Sequence, residues 1–209
     1  MQNNNGYQKY LAIIALLISV VGVSLGFAAY SNTLQIKAQA DVSGRTPDPV
    51  AELSTSPSSQ QDGPVTPTTT GGASAEVTTL DEDSLENIKV HFTSTGQSAT
   101  YSFYGVNSSS FVSYLNSVVF GTKSCAADNT NGNPATVGVD TACGDITMTI
   151  AAGAEDFTET NNNVNGHAVN GGTYEPVTVT IEYIDGGAVA DGDFTVDFGT
   201  STLNYSTVD

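Results

Sequence analysis

The sequence predicts an all-β fold, an antiparallel β-sandwich of Ig-like or jelly-roll-like form preceded by one N-terminal hydrophobic helix. About eight short segments after residue 88 alternate apolar and polar residues with the two-residue period of a β-strand. Turn sequences such as NSSS, NGNP, NGG and DGG separate these segments, and no convincing helical period follows residue 30. Many short strands with frequent turns are typical of an antiparallel sandwich.

Residues 1–29 are predicted to be a signal peptide or an N-terminal membrane anchor. They include the uncharged run LAIIALLISVVGVSLGFAA, which is long enough to span a hydrocarbon core of about 30 Å. Its small-residue end offers a cleavage site after Ala28 or Ala29, whereas Lys9 favours an N-in orientation if the run is retained. A type IV prepilin start would usually have a glutamate where Leu11 stands. Both leading alternatives place the rest of the chain at the cell surface or in the extracellular space.

A first β-strand is predicted within residues 30–42, where TLQIKAQADV alternates cleanly. Every second residue is apolar, and these residues would share one face of the strand: Leu34, Ile36, Ala38, Ala40 and Val42. This face needs a covering surface, so we expect the strand to dock either on its own domain or on a neighbouring copy by strand addition. The predicted partners are therefore a second copy of the chain and, if the apolar run is retained, a membrane.

Residues 43–75 are predicted to be a flexible linker rich in Pro, Ser and Thr. They hold five of the seven prolines and few large apolar residues. Such a segment buries too little apolar surface to offset the conformational entropy lost on ordering. A long ordered surface loop is the alternative.

Residues 76–209 are predicted to form the β-sandwich domain. The clearest strand, PVTVTIEYI, places its apolar residues on odd numbers from Val177 to Tyr183. In the last segment the apolar residues change from even to odd numbers across Gly199. This change predicts a β-bulge or a tight corner at that glycine.

The charge of the chain excludes one class of partner. There are 22 acidic and 5 basic residues, giving a formal net charge of −17. Such a surface repels phosphate backbones, so the sequence predicts no binding of nucleic acid. A low content of charged residues combined with many Thr, Ser, Gly and Asn is typical of extracellular β proteins.

The chain contains two cysteines, Cys125 and Cys143. An even cysteine count in an exported chain predicts one disulfide, and two buried free thiols are the alternative. The bridge would close a loop of about 19 residues, which contributes roughly 3 kcal/mol in the chain-entropy model.

No catalytic motif stands out in the sequence. It contains neither HExxH nor GxSxG, and its two histidines, His91 and His167, are far apart along the chain. His91 lies between Val90 and Phe92, so it is expected on the polar face of its strand. The sequence therefore predicts no catalytic residue and no enzyme.

Calcium is the metal that the sequence favours most. NNNVNG places Asn161, Asn163 and Asn165 at the first, third and fifth positions of an EF-hand-like loop, although the usual first Asp and last Glu are missing. Asp191 and Asp193 form a second acidic turn. Solvated loops without a metal are the alternative for both, and no other cofactor is predicted.

Three stretches resemble a known group of proteins: FAAYSNTLQIKAQADV, TGQSATYSFYGVNSSSFVSYLNSV and the ending from VTVTIEYIDGG onward. They are similar to exported, mostly uncharacterised proteins of Gram-positive bacteria that look like distant relatives of the camelysin and TasA-type biofilm matrix fibre proteins. The resemblance implies a signal segment and a β-sandwich, and camelysin-like proteins have been linked to proteolysis. Predicted export, the sandwich, the acidic surface and the absence of catalytic motifs favour a non-enzymatic structural role at the cell surface or in the matrix, including that of a fibre subunit. In such fibres the N-terminal strand of one subunit completes the sheet of the next.

The alternative function is that of a surface adhesin module that binds carbohydrate or a host surface. Tyr104 and Tyr114 are expected to be exposed and could form its ligand face. Packing against neighbouring strands is the other role open to these rings.

Overall fold

The computed structural model describes Tyr10 and residues 14–16, 51–184 and 190–207, without the side chains of residues 163–166. The predicted cleavage residues Ala28 and Ala29 lie outside these ranges, as does the strand predicted within residues 30–42. Signal cleavage and docking of that strand therefore stay predictions.

The chain divides into two compact units, Met1–Thr46 and Pro47–Asp209. In the first unit, Tyr10 and residues 14–16 are helical and exposed. Within the part of the chain that the structure describes, no helix is long and apolar enough to cross a membrane.

The second unit consists almost entirely of β-strands. Among the described residues, one six-residue helix interrupts them. In chain order the elements are β1 (Glu52–Ser54), β2 (Gly63–Val65), β3 (Thr68–Thr70), β4 (Ser74–Ala75), β5 (Thr78–Asp81), β6 (Ser84–Phe92), β7 (Ser98–Asn107), β8 (Ser113–Val119), β9 (Ser124–Ala127), α1 (Val139–Gly144), β10 (Ile146–Ala152), β11 (Glu155–Thr158), β12 (Asn163–Val169), β13 (Thr173–Tyr183) and β14 (Phe194–Ser206).

These strands form two antiparallel sheets. The first sheet has the order β1-β7-β13-β10-β11, with β3 paired to β7 beside β1. The second sheet has the order β12-β8-β14-β6-β5-β2, with β4 paired to β6 and β9 paired to β14. The all-β prediction is confirmed, and the arrangement of the two sheets is β-sandwich-like.

One hydrophobic cluster drawn from both sheets forms the core of this unit. In β13, the residues on odd numbers from Val177 to Tyr183 are buried and the residues between them face outward, as the alternation predicted. The second sheet contributes residues such as Phe92 from β6 and Phe194 from β14, whose rings meet that of Tyr183. Burial of these side chains is the main favourable term for folding of the unit.

The predicted irregularity at Gly199 is confirmed. The register of β14 against β6 shifts on both sides of this glycine, and its φ of 61° lies in the left-handed region. The buried positions then change from Phe198 to Ser201 and Leu203. The bulge thus keeps the apolar side chains on the core face along both halves of the strand.

The predicted linker is wrong over residues 51–75, while residues 43–50 lie outside the described part of the chain. Residues 51–75 contain β1 to β4, and Leu53 and Val65 are buried in the core. Composition alone misses this order because short strands gain backbone partners on an existing sheet, here β7 for β1 and β5 for β2. The hydroxyl of Ser54 adds hydrogen bonds that tie the loop after β1 together.

Candidate functional site: two histidine–carboxylate pairs

Cys125 and Cys143 form the predicted disulfide, with their Cα atoms 6.0 Å apart. The bridge connects β9 to α1 and closes the loop between them, here called the disulfide loop (residues 126–142). Closing a loop of this length restricts the unfolded chain and stabilises the fold by roughly 3 kcal/mol.

The acidic turn before β14 holds the disulfide loop in place. Oδ1 of Asp191 accepts hydrogen bonds from the backbone N–H groups of Thr136 (2.7 Å) and Val137 (2.9 Å), and Oδ2 accepts one from the Thr136 hydroxyl (2.6 Å). These hydrogen bonds lower the pKa of Asp191. The carboxylate that was predicted as a calcium ligand is therefore engaged in anchoring a loop.

Asp193 belongs to the same anchor but is buried. Its backbone carbonyl accepts hydrogen bonds from the N–H groups of Asp128 and Ala135, both at 2.9 Å, and its own N–H donates to the carbonyl of Asn133 at 2.8 Å. Its carboxylate accepts a longer hydrogen bond, 3.3 Å, from the amide of Asn131. The turn and the loop thus form one hydrogen-bonded unit.

The first histidine–carboxylate pair joins this loop to the outer face of the second sheet. His91 lies on the outward face of β6, as predicted, and its Nδ1 is 2.6 Å from Oδ2 of Asp128 and 2.9 Å from the hydroxyl oxygen of Thr195. Oδ1 of Asp128 accepts hydrogen bonds from both the backbone N–H and the hydroxyl of Thr130. Burial alone would raise the pKa of Asp128, but the hydrogen bonds from Thr130 and His91 outweigh it and lower the pKa to about 2.

The second pair lies between the two sheets, at the other end of β14. Glu175 of β13 faces the core side of the first sheet, in register with the buried residues from Val177 onward. Its Oε2 is 2.5 Å from Nε2 of His167 on β12, and its Oε1 accepts a 3.0 Å hydrogen bond from the hydroxyl of Tyr205 on β14. One carboxylate of the first sheet therefore contacts two side chains of the second sheet.

Burial is the main cause of the pKa shift in this second pair. It raises the pKa of Glu175, and the attraction of His167 and the hydrogen bonds from Tyr205 and His167 offset the rise only in part. Burial together with the nearby Glu175 carboxylate also raises the pKa of Tyr205.

Two glycines make room for the second pair. A Cβ atom on Gly105 would lie 2.5 Å from the hydroxyl oxygen of Tyr205, and one on Gly153 would lie 2.4 Å from Nε2 of His167. Contacts this short exclude any larger residue unless the side chains move. The close approach of backbone to imidazole and phenol therefore depends on glycine at both positions.

The two predicted calcium turns lie in different parts of the second unit. Asn161 lies in the turn between β11 and β12. Asn163 and Asn165 belong to β12, and the side chains of these two residues are outside the described part. Asn163 pairs with a residue of β8 that in turn pairs with the C-terminal half of β14. Asp191 and Asp193 instead precede the N-terminus of β14. Among the described residues, no group of three or more His, Cys, Asp or Glu could hold a metal ion.

Tyr104 and Tyr114 cannot form one ligand face. Tyr104 points outward from the first sheet, because its neighbour Phe103 is buried, and Tyr114 points outward from the second sheet, because Leu115 is buried. The two outward faces lie on opposite sides of the core. The ring of Tyr104 instead packs edge-on against Tyr174, with centroids 5.5 Å apart.

No local pattern singles out Asp128, which is close to His91 only in the fold. Glu175 carried a signal that could have been used, because it continues the inward register of Val177, Val179 and Ile181. An acidic residue at an inward position of a strand requires a partner.

Comparison with known proteins finds no family model that matches the chain, and no curated protein or solved structure that is similar to it.

Proposed function

We propose that this chain is an exported, non-enzymatic structural protein of the cell surface or the extracellular biofilm matrix of a Gram-positive bacterium. In this proposal its apolar N-terminal segment is a signal peptide or a membrane anchor, and its two sheets form a sandwich of Ig-like or jelly-roll-like type. Subunits assemble into fibres by strand addition. The observation that carries the proposal is the Cys125–Cys143 disulfide, because such bridges persist in oxidising compartments outside the cytoplasm.

The disulfide is integrated into the fold in a way that suits an exposed structural protein. It fixes the disulfide loop against the turn at Asp191 and Asp193 and against His91. The loop therefore resists local opening, which is the step that exposes a chain to proteases. A durable surface protein benefits from this resistance.

Strand addition is supported by the alternating pattern of the segment that precedes the second unit. The segment from Leu34 to Val42 has one apolar face. The first sheet ends on one side in the four-residue strand β11. In the proposal, the strand of one copy pairs with a sheet edge of the next, and its apolar side chains are covered there.

The assembly is tested with the full chain secreted from a Gram-positive host and imaged by negative-stain electron microscopy. Ile36→Asp places a charge on the apolar face of the donated strand and is expected to abolish filaments. Gln35→Asp adds the same charge to the opposite face and serves as the matched control, which should still form filaments. Filaments in both variants, or monomers that retain residue 1 in the parent chain, would contradict assembly by strand addition.

Two further measurements test the remaining parts of the proposal. Thiol labelling of the secreted, denatured and unreduced protein should leave Cys125 and Cys143 unmodified. A purified protein that hydrolyses casein, and loses this activity with a chelator, would show that the chain is an enzyme.

A further inference from the structure

The outer face of the first sheet carries a row of threonines in register. Pairing of the five strands β11, β10, β13, β7 and β3 aligns Thr158, Thr149, Thr180, Thr100 and Thr68 in this order. All five point away from the core. In β7, β10, β11 and β13 the residues next to the threonine along the strand face inward, and in β3 Thr68 takes the orientation of its partner Thr100. Neighbouring strands in a sheet are about 4.8 Å apart, so the hydroxyl and methyl groups repeat at that spacing.

The rows on either side of these threonines are also rich in hydroxyl groups. Ser98 and Thr70 are adjacent in one row, and their hydroxyl oxygens are 2.7 Å apart. Thr178 and Ser102 are adjacent in the other. We call the outward side of these strands the hydroxyl face.

The hydroxyl face continues into an aromatic pair at one end. Tyr174 and Tyr104 project outward from β13 and β7, and Tyr174 is 53% exposed. Their edge-to-face contact holds the ring of Tyr174 in a fixed orientation. The exposed ring of Tyr174 lies along β13 from Thr180 by about 20 Å, at about 3.3 Å per residue. A polymer of several sugar units could therefore contact both this apolar platform and the hydroxyl groups.

The charge of the hydroxyl face differs from that of the whole protein. The chain has a formal net charge of −17, yet the threonine row carries no charge. The adjacent rows carry Glu182 on the central strand β13 and Asp156 on the edge strand β11, and Glu52 of β1 lies in the row of Tyr174. The outward face of the second sheet instead presents charged and titratable groups, among them the Lys89–Asp197 ion pair and His91. A neutral partner can approach the hydroxyl face without losing hydration of many charges, whereas an anionic polymer is repelled by the protein as a whole.

We infer that the hydroxyl face binds a neutral polysaccharide chain, with a sugar ring stacked on Tyr174 and sugar hydroxyls bonded to the threonine row. The C–H face of a pyranose suits the aromatic platform, and each threonine or serine hydroxyl can both donate and accept a hydrogen bond. The uncharged row matches a neutral polymer and not an acidic one. This inference does not depend on fibre assembly, because binding is measured separately from the shape of the particles.

Binding is tested with the full chain, purified in mild detergent because of its apolar N-terminal run, by pull-down on cellulose and chitin and by affinity electrophoresis in mannan. Alginate serves as the anionic comparison. Retention on at least one neutral polymer and none on alginate is the expected result. Tyr174→Ala should raise the dissociation constant about tenfold, the scale of one lost aromatic contact. Thr180→Glu, at the centre of the row, should weaken binding as well.

The matched control is Tyr114→Ala, which removes an outward tyrosine from the second sheet and should bind like the parent chain. Urea unfolding of each variant confirms that loss of binding is not loss of folding. Failure to bind any neutral polymer, preference for alginate, or loss of binding in Tyr114→Ala but not in Tyr174→Ala would overturn the inference. Self-association that Tyr174→Ala abolishes, without polysaccharide binding, would show that a second copy of the chain occupies the face instead.

Discussion

The carboxylates of the two histidine–carboxylate pairs have similarly small exposed fractions, but their pKa values shift in opposite directions. The carboxylate side chains of Asp128 and Glu175 are 6% and 8% exposed, and their partners His91 and His167 are 21% and 22% exposed. Nevertheless, the pKa of Asp128 is lowered to about 2 and that of Glu175 is raised. A small exposed fraction and an imidazole neighbour therefore do not by themselves determine the direction in which the pKa of an acid shifts.

Depth in the fold and hydrogen bonds together make the difference between the two pairs. Asp128 accepts two hydrogen bonds from Thr130, one from the backbone and one from the hydroxyl, in addition to its contact with His91. Glu175 has the hydroxyl of Tyr205 in addition to His167, and it lies between the sheets in contact with the core. A carboxylate with more donors keeps its charge, whereas one with fewer donors in an apolar setting favours its proton.

Breaking the disulfide should have the largest effect, and it should change the pKa of the carboxylate in the first pair but not in the second. The double variant Cys125→Ala/Cys143→Ala frees the loop that carries Asp128, and we expect its unfolding free energy to fall by roughly 3 kcal/mol. The pKa of Asp128 should rise toward its ordinary value as its hydrogen bonds with Thr130 and His91 loosen. The pKa of Glu175 should not change, because its partner Tyr205 is near the other end of β14 from Thr195, the β14 contact of His91.

Urea unfolding gives the stability change, and carboxyl carbon NMR titration gives the two pKa values. Dithiothreitol treatment of the parent chain should reproduce both effects and serves as the control for the substitutions. An equal shift in the pKa of Glu175 would show that the two pairs are coupled through the fold.

Removing the charge of Asp128 should destabilise the protein above pH 4 and not at very low pH. A pKa lowered from 3.8 to about 2 corresponds to about 2 kcal/mol of stability, because each unit is worth 1.36 kcal/mol. The folded-state pKa lies below the unfolded one, so this stability is present above the unfolded pKa and is lost as the pH falls through about 2. Asp128→Asn should therefore unfold more easily than the parent chain at pH 7.

Urea unfolding of the parent and Asp128→Asn at several pH values measures this difference directly. It should shrink between pH 4 and pH 2. Asp197→Asn, which removes an exposed partner of Lys89, is the matched control and should change stability by less than about 1 kcal/mol. A difference for Asp128→Asn that is independent of pH would mean that the side chain acts by shape and not by charge.

The strands were predictable from sequence where one face is buried and the other is solvated. The alternation in β13, and even the change of parity at Gly199 in β14, follows from the requirement that apolar side chains reach the core. Residues 51–75 escaped prediction because the order of β1 and β3 depends on backbone pairing with β7, which no local pattern records.

The pairs themselves were only partly visible in the sequence. The disulfide and the outward position of His91 could be predicted from cysteine count and strand period. The contact of His91 with Asp128 joins residues 37 positions apart, and that of Glu175 with Tyr205 joins residues 30 apart. Contacts of this range depend on the order of strands in the sheets, which alternation alone does not specify.

The smallest expected effect, and the one that tests the comparison most directly, is a gain in stability at the second pair. Burial raises the pKa of Glu175, so its contribution to stability is fully present below the unfolded pKa and is lost as the pH rises through the folded pKa. Glu175→Gln keeps an oxygen for the hydroxyl of Tyr205 without a buried charge, and at pH 7 it should be more stable than the parent by about 1 kcal/mol. Urea unfolding should show this advantage disappearing below pH 4, where Glu175 itself is protonated. A loss of stability at pH 7 similar to that of Asp128→Asn would mean that the pairing with His167 outweighs burial, and the two pairs would then be alike.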